Sequence, residues 1–202
     1  MIGKWNGSVV LTYLGLACAV TGIFLAVTGG KVTYAFVCLM LAGIFDLFDG
    51  PVARKFKRNE EEKKFGIEID SVVDAVNFIA LPIAIFTAMG MNFWPFVILY
   101  ILYAVAGAAR LAYFNAVTAD SEGPVKYYTG LPVTFAALIF PLFYLLSLPL
   151  ENIIFTVIYA FVILAVVVLY LLKVKVPKPH GIAYAVLGVI AIVLLAVFLF
   201  VI

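Results

Sequence analysis

From residue 9 to residue 202 the chain is a succession of apolar runs, each about twenty residues long. That is the length an α-helix needs to cross the hydrocarbon core of a bilayer. The runs predict seven spans, at roughly 9–29, 32–56, 65–89, 93–117, 129–148, 152–172 and 181–202. The links between them are short: GGK, KRNEEEKK, GMN, TADSEGPVKYY, PLE and KVKVPKPH. Glycine, proline, asparagine and charge collect in these links, as helix breakers do. The expected fold is therefore all-α, a polytopic transmembrane helix bundle. No link is long enough to separate one domain from another, so residues 1–202 are expected to form a single domain. Only 12% of residues are charged, about half the share of a soluble globular domain. The first apolar run is long and is not followed by a small-residue cleavage site and a soluble body, so no cleavable signal is expected. Cys18 and Cys38 fall inside apolar runs and are expected to be inert fillers.

The distribution of cations orients the bundle, although their net excess of +2 says little about partners. With the amino terminus in the cytoplasm, Lys4, the six cations from Arg54 to Lys64, Arg110, Lys126, Lys173, Lys175 and Lys178 all fall on the cytoplasmic side. Only Lys31 falls on the other. Such a bias is the mark of cytoplasmic loops, and its alternation suits an odd number of spans. The mixed-sign stretch KRNEEEKK reads equally as a salt-bridged helix turn or as an element that holds phosphates.

Against this background four aspartates stand out. On a helix at about 100° per residue, Asp46, Asp49, Gly50, Ala53 and Arg54 share one face of the second span. Gly66, Asp70 and Asp74 share one face of the third, and Asn77 continues it. The two spans are antiparallel neighbours, so their polar stripes can meet near the cytoplasmic end. Asp46 precedes Arg54 by eight residues, which places it on the order of 12 Å below the basic edge. An aspartate near mid-helix costs roughly 3 kcal/mol, and four standing alone on the order of 10 kcal/mol. Arg54 supplies one compensating charge. Divalent cations are the simplest remedy, and hard oxygen ligands without histidine or cysteine favour Mg²⁺ or Mn²⁺, with Ca²⁺ admissible. Four carboxylates could hold two ions about 4 Å apart, a geometry that clamps phosphoryl oxygens. Gly50 and Gly66 either let a nucleotide or phosphate approach the backbone or pack helices together.

In sequence order these residues form D-x-x-D-G-x-x-A-R, eleven residues, then G-x-x-x-D-x-x-x-D. This resembles the signature of the CDP-alcohol phosphatidyltransferase family at all eight fixed positions. The resemblance implies a six-helix core, here with a seventh helix added, two bound metal ions, and transfer of a phosphatidyl or archaetidyl group from a CDP-linked lipid to an alcohol. It implies that Asp46, Asp49 and Asp70 are the main metal ligands. Asp74 would complete the metal site and act as the general base. Gly50, Ala53, Arg54 and Gly66 would form the nucleotide bed. Many members carry N-x-x-T at the start of the first helix. Here Thr12 fits, but Val9 stands at the asparagine position and Asn6 lies further back. The resemblance also implies a homodimer; the cation bias puts the active site open to the cytoplasm in the cell membrane, and no nucleic acid partner is expected.

The acceptor is suggested by the fourth and fifth spans. ARLAYFN followed by GLP is similar to the A-R-L-A-R-F-N and G-L-P runs of membrane-embedded phosphatidylserine synthases, except that Tyr113 replaces the second arginine. L-serine is therefore the expected acceptor, with Arg110, Asn115 and Lys126 as the acceptor-binding residues. The competing arrangement, in which Arg110 pairs with a motif aspartate and is structural, stays open from the sequence. Glycerol 3-phosphate or an inositol phosphate is the alternative acceptor, but each brings about two negative charges and would want several buried cations. A cation channel or transporter is the alternative of another class. Transporters favour midplane sites on interrupted helices in repeated halves, whereas these acids cluster near one edge in one half.

Overall fold

The computed structural model describes residue 3 and residues 6–119, 127–147, 150–177 and 182–202. Lys126, one of the expected acceptor-binding residues, lies outside them. The described residues form seven helical rods. A short 3₁₀ turn, Gly7–Val9, leads into α1 (Val10–Gly29), followed by α2 (Val32–Ala53). α3 (Glu60–Ala75) and α4 (Leu81–Ala88) are one rod joined through a π turn at Val76–Ala80. Then come α5 (Trp94–Ala119), α6 (Ala136–Ser147), α7 (Asn152–Leu171) and α8 (Ile182–Phe200). Five rods are long and apolar enough to cross a membrane: Gly7–Gly29, Val32–Ala53, Glu60–Ala88, Trp94–Val117 and Asn152–Leu171. The apolar stretches Val133–Leu146 and Val186–Phe200 are shorter.

Local chemistry sets the ends. Gly30 takes the left-handed conformation (φ 56°) that closes α1, its N–H bonding to the Ala26 carbonyl. Glycine adopts this conformation without a Cβ penalty. The stretch 57–64, expected as a link, is mostly helix. Asn59 caps α3 by accepting from the Glu62 N–H at 2.8 Å, and the Glu62 carboxylate accepts from the Asn59 N–H at 2.9 Å. This reciprocal box starts the helix at Glu60, with three glutamates in its first turn, where the helix dipole favours negative charge.

The π turn has a similar origin. Pro82 has no N–H to give to the carbonyl four residues back, which belongs to Phe78. Tyr103 donates its hydroxyl to that carbonyl at 2.5 Å instead, so the irregular turn is held by α5.

Aromatic rings fill the centre of the bundle. Phe86, Tyr103, Phe140 and Tyr159, from α4, α5, α6 and α7, are all fully buried and meet edge-on or tilted at 4.8–6.2 Å between centroids. Helices also approach through small residues. A Cβ added to Gly43 of α2 would lie 2.6 Å from the Cβ of Ala137 on α6. Gly43→Ala should therefore force the two helices apart and destabilise the bundle by about 1–3 kcal/mol, seen as a lower unfolding temperature in detergent. α8, the added rod, packs against α2 and α6: Phe198 meets Phe36 at 5.6 Å and Tyr144 at 5.9 Å.

One element has no counterpart among the sequence-based expectations. Tyr127–Thr129 (β1) pairs antiparallel with Lys175–Pro177 (β2), Tyr128 opposite Val176. The pair ties the α5–α6 link to the α7–α8 link. Just beyond it the Gly130 N–H reaches the Val174 carbonyl and the Leu131 N–H reaches the Leu169 carbonyl.

Candidate active site

The two aspartate stripes do meet. Oxygens of Asp46, Asp49 and Asp70 lie within 4.8 Å of one another. The carboxyl of Asp49 contacts that of Asp70, and the carboxyl of Asp46 contacts that of Asp74. Asp74 is buried, while the other three are half-buried, so the cluster has a floor and a mouth. Thr12 of α1 donates to Asp49 Oδ2 at 3.0 Å and brings a third helix to the site. Asn6 does not join it. Its side chain accepts from the Ser8 N–H at 3.0 Å and caps the leading 3₁₀ turn.

The cluster suits a divalent metal ion on two counts. First, the acids are all hard oxygen donors, and among the described residues no lysine or arginine forms an ion pair with any of them. Second, the polar lining continues inward. Asn77, on the same face of the α3 rod as Asp74, is buried, and its side-chain oxygen has no hydrogen-bond partner among the described residues. Ionised carboxylates gathered this closely in an apolar bundle repel one another, and a cation bound among them would offset that repulsion.

Gly50 and Gly66 behave unlike the packing glycines. A Cβ on Gly22 would collide with Cys38 and Leu81 at 2.8 Å, whereas on Gly50 its nearest neighbour is Nη1 of Arg54 at 3.9 Å. On Gly66 it is Nη1 of Arg58 at 3.6 Å. Both glycines thus face open space rather than another helix. Ala53 is buried one turn beyond Asp49, and Arg54 is exposed at the rim.

Between α5 and the end of α7 lies a pocket of about 170 Å³ lined by Ala109, Arg110, Tyr113, Tyr170, Leu171, Leu172 and Lys173. Arg110 is buried, with Nε donating to the Leu131 carbonyl at 3.1 Å and Nη2 to that of Gly130 at 3.4 Å. These backbone carbonyls hold the guanidinium against the start of the α6 segment. Gly130 can stand there because it has φ 85°, and a Cβ would come within 3.0 Å of the Leu172 carbonyl and 3.3 Å of Arg110 Nε. Gly107 of α5 packs against both Ile79 of the α3 rod and Tyr170, so the pocket adjoins the rod that carries Asp74. Asn115 stands apart from the pocket-lining residues. Its side-chain oxygen accepts from Ser71 Oγ at 2.9 Å, one residue beyond Asp70.

Arg58, Ser71, Tyr170 and Lys173 are not singled out by the sequence. Ser71 has a signal, since it adjoins Asp70, but its partner comes from another helix. Tyr170 and Lys173 reach the site because α7 packs along α5, with the Tyr103 and Tyr170 rings 5.8 Å apart.

Fold and site together define a polytopic membrane protein with an acidic, metal-suited cleft at one end of its bundle. The sequence pattern of CDP-alcohol phosphatidyltransferases matches residues 5–202, and the chain belongs to that family. It is 30% identical over 173 residues to an archaetidylserine synthase of Methanothermobacter thermautotrophicus, covering 85% of this chain and 70% of that protein. It is 33% identical over 144 residues to a CDP-diacylglycerol–serine O-phosphatidyltransferase of Mycobacterium tuberculosis, covering 65% of this chain and 49% of that one. A Saccharomyces cerevisiae protein of the same name is 37% identical over 100 residues, 47% of this chain and 35% of that one. The chain thus spans about half the length of the mycobacterial relative.

Proposed function

We propose that this protein transfers a phosphatidyl or archaetidyl group from a CDP-linked lipid to L-serine, releasing CMP. The observation that carries the reading is the pairing of two unlike compartments in one bundle: the acidic cluster on α2 and α3, and the Arg110 pocket between α5 and α7, with α3 and α5 joined by the Ser71–Asn115 hydrogen bond. The names of the relatives point to the same acceptor.

Asp46, Asp49 and Asp70, completed by Asp74, would hold Mg²⁺ or Mn²⁺, as two ions. When bound, the metal offsets negative charge on the diphosphate and on the phosphorus under attack. Gly50, Ala53, Arg54 and Gly66 accommodate the CDP group, with Thr12 steadying Asp49. Arg110, aided by Lys173, receives the serine carboxylate. Asp74 takes the proton of the serine hydroxyl. The serine oxygen then bonds to the lipid-side phosphorus, and the bond to the CMP oxygen breaks with its electron pair leaving on CMP. Lipid tails remain in the bilayer throughout. The protein is a homodimer in the cell membrane with its cleft open to the cytoplasm.

Product analysis tests this reading. Purified protein, a CDP-lipid and Mn²⁺ or Mg²⁺ are given serine, glycerol 3-phosphate or inositol phosphate in turn. Serine-dependent formation of a serine lipid and CMP is expected. Product with only a phosphorylated acceptor would replace serine.

Arg110 has its own kinetic signature. A guanidinium forms a planar fork that matches a carboxylate, and an ammonium does not. Arg110→Lys should raise the serine KM about tenfold or more while the CDP-lipid KM changes little. A loss of CDP-lipid affinity with unchanged serine dependence would move Arg110 out of the acceptor pocket.

The orientation is tested by labelling. Seven crossings with a cytoplasmic amino terminus put Asn59 and Ile202 on opposite sides of the membrane. Cysteines placed at Asn59 and after Ile202 should react with an impermeant reagent from opposite faces. Labelling from the same face would change the count of crossings by one.

A further inference from the structure

Arg58 lies outside the family signature, just before the helix that carries Asp70 and Asp74. It stands in the link, just before Asn59, which caps the helix that begins at Glu60. Three glutamates follow within four residues, and the ordinary fate of such an arginine is a surface ion pair. That does not happen. Lys63 pairs with Glu60 at 2.7 Å, and the capping box draws the Glu62 carboxylate to the Asn59 N–H. Among the described residues no carboxylate pairs with Arg58. Its side chain is half-buried and lies along α3, with Nη1 3.6 Å from where a Cβ of Gly66 would be. Across the mouth Arg54 stands in the same relation to Gly50, its Nη1 3.9 Å from the Cβ position, and it too has no ion pair among the described residues. Two guanidiniums, one at the end of α2 and one in the link before α3, thus stand beside the two side-chain-free positions of the aspartate stripes.

We propose that Arg58 is a second phosphate-binding guanidinium, which with Arg54 brackets the diphosphate of a nucleoside-diphosphate lipid at the mouth of the cleft. The inference rests on the CDP-lipid reading above and adds to it a residue outside the motif. The chemistry fits: a guanidinium donates paired N–H groups to phosphate oxygens, and a glycine lets the phosphate come close to the backbone. An arginine serving only lipid headgroups at the membrane edge would extend toward the surface, whereas Arg58 turns back over Gly66.

The experiment measures binding of CDP, a soluble nucleoside diphosphate, to the full chain in neutral detergent with Mn²⁺, by calorimetry. The absence of anionic lipid separates a nucleotide site from a headgroup site. Arg58→Ala should weaken CDP binding about tenfold and Arg58→Lys about threefold, in line with loss or impairment of a charge-assisted contact. The CDP-lipid KM should rise in step, with the serine KM unchanged. Lys57→Ala, which removes a neighbouring exposed charge, should leave CDP binding as it was. Wild-type CDP affinity in Arg58→Ala, or an equal loss in Lys57→Ala, would overturn the proposal and leave the CDP-lipid reading standing. Failure of the wild-type protein itself to bind CDP would overturn both.

Discussion

Asp70→Asn should reduce turnover by about a thousandfold or more, the loss expected when several kcal/mol of charge stabilisation is removed. Asp70 is the right residue for the test because it belongs to the three-carboxylate group and also contacts Asp49. A second, activity-independent signature accompanies the loss. Without metal, the variant has one fewer carboxylate in the repelling cluster and should unfold at a higher temperature than the wild type. With Mn²⁺ the order should reverse, because a ligand that binds only the folded state stabilises it in proportion to its affinity. Thermal unfolding in detergent, with and without Mn²⁺, reads both arms. Full turnover of the wild type in excess chelator would remove the metal from the reaction altogether.

Asp74→Asn should lower kcat by a factor of about 10²–10⁴, the range for a lost general base, yet spare CDP binding more than Asp70→Asn does. The distinction comes from position. Asp74 is the buried member, in contact with Asp46. Asp46, Asp49 and Asp70 make up the three-oxygen group. Calorimetry with CDP and single-turnover kinetics separate binding from chemistry. Equal loss of CDP affinity in all four asparagine variants would deny Asp74 a separate role.

The acidic half of the site is legible in the sequence because helical spacing and membrane energetics act on it together. Asp46 and Asp49 lie on one regular helix, Asp70 and Asp74 on the next, and a short link makes those helices neighbours. Period and depth are enough to bring the stripes face to face. Gly50 and Gly66 are ambiguous for a physical reason: whether a missing side chain serves a ligand or a neighbouring helix depends on what stands opposite, which periodicity does not report. The acceptor side is less legible. Arg110 can be placed at the right depth, but the carbonyls that hold it belong to residues 130 and 131, brought there by a strand pair too short to show a pattern. The start of α3 is hidden because KRNEEEKK is too polar to look like the beginning of a span, although Asn59 and Glu62 have the spacing of a capping box.

The strand pair has a consequence for how such a protein can diversify. The acids come from α2 and α3, whereas Arg110 is held by Gly130 and Leu131, which are anchored in turn to Val174 and Leu169. On the proposed reading, catalytic power and acceptor choice are therefore written in different stretches of chain. Mutational drift in residues 127–177 can reshape the acceptor pocket while the metal ligands stay fixed. One inherited reaction centre can in this way be fitted to new alcohols without being rebuilt.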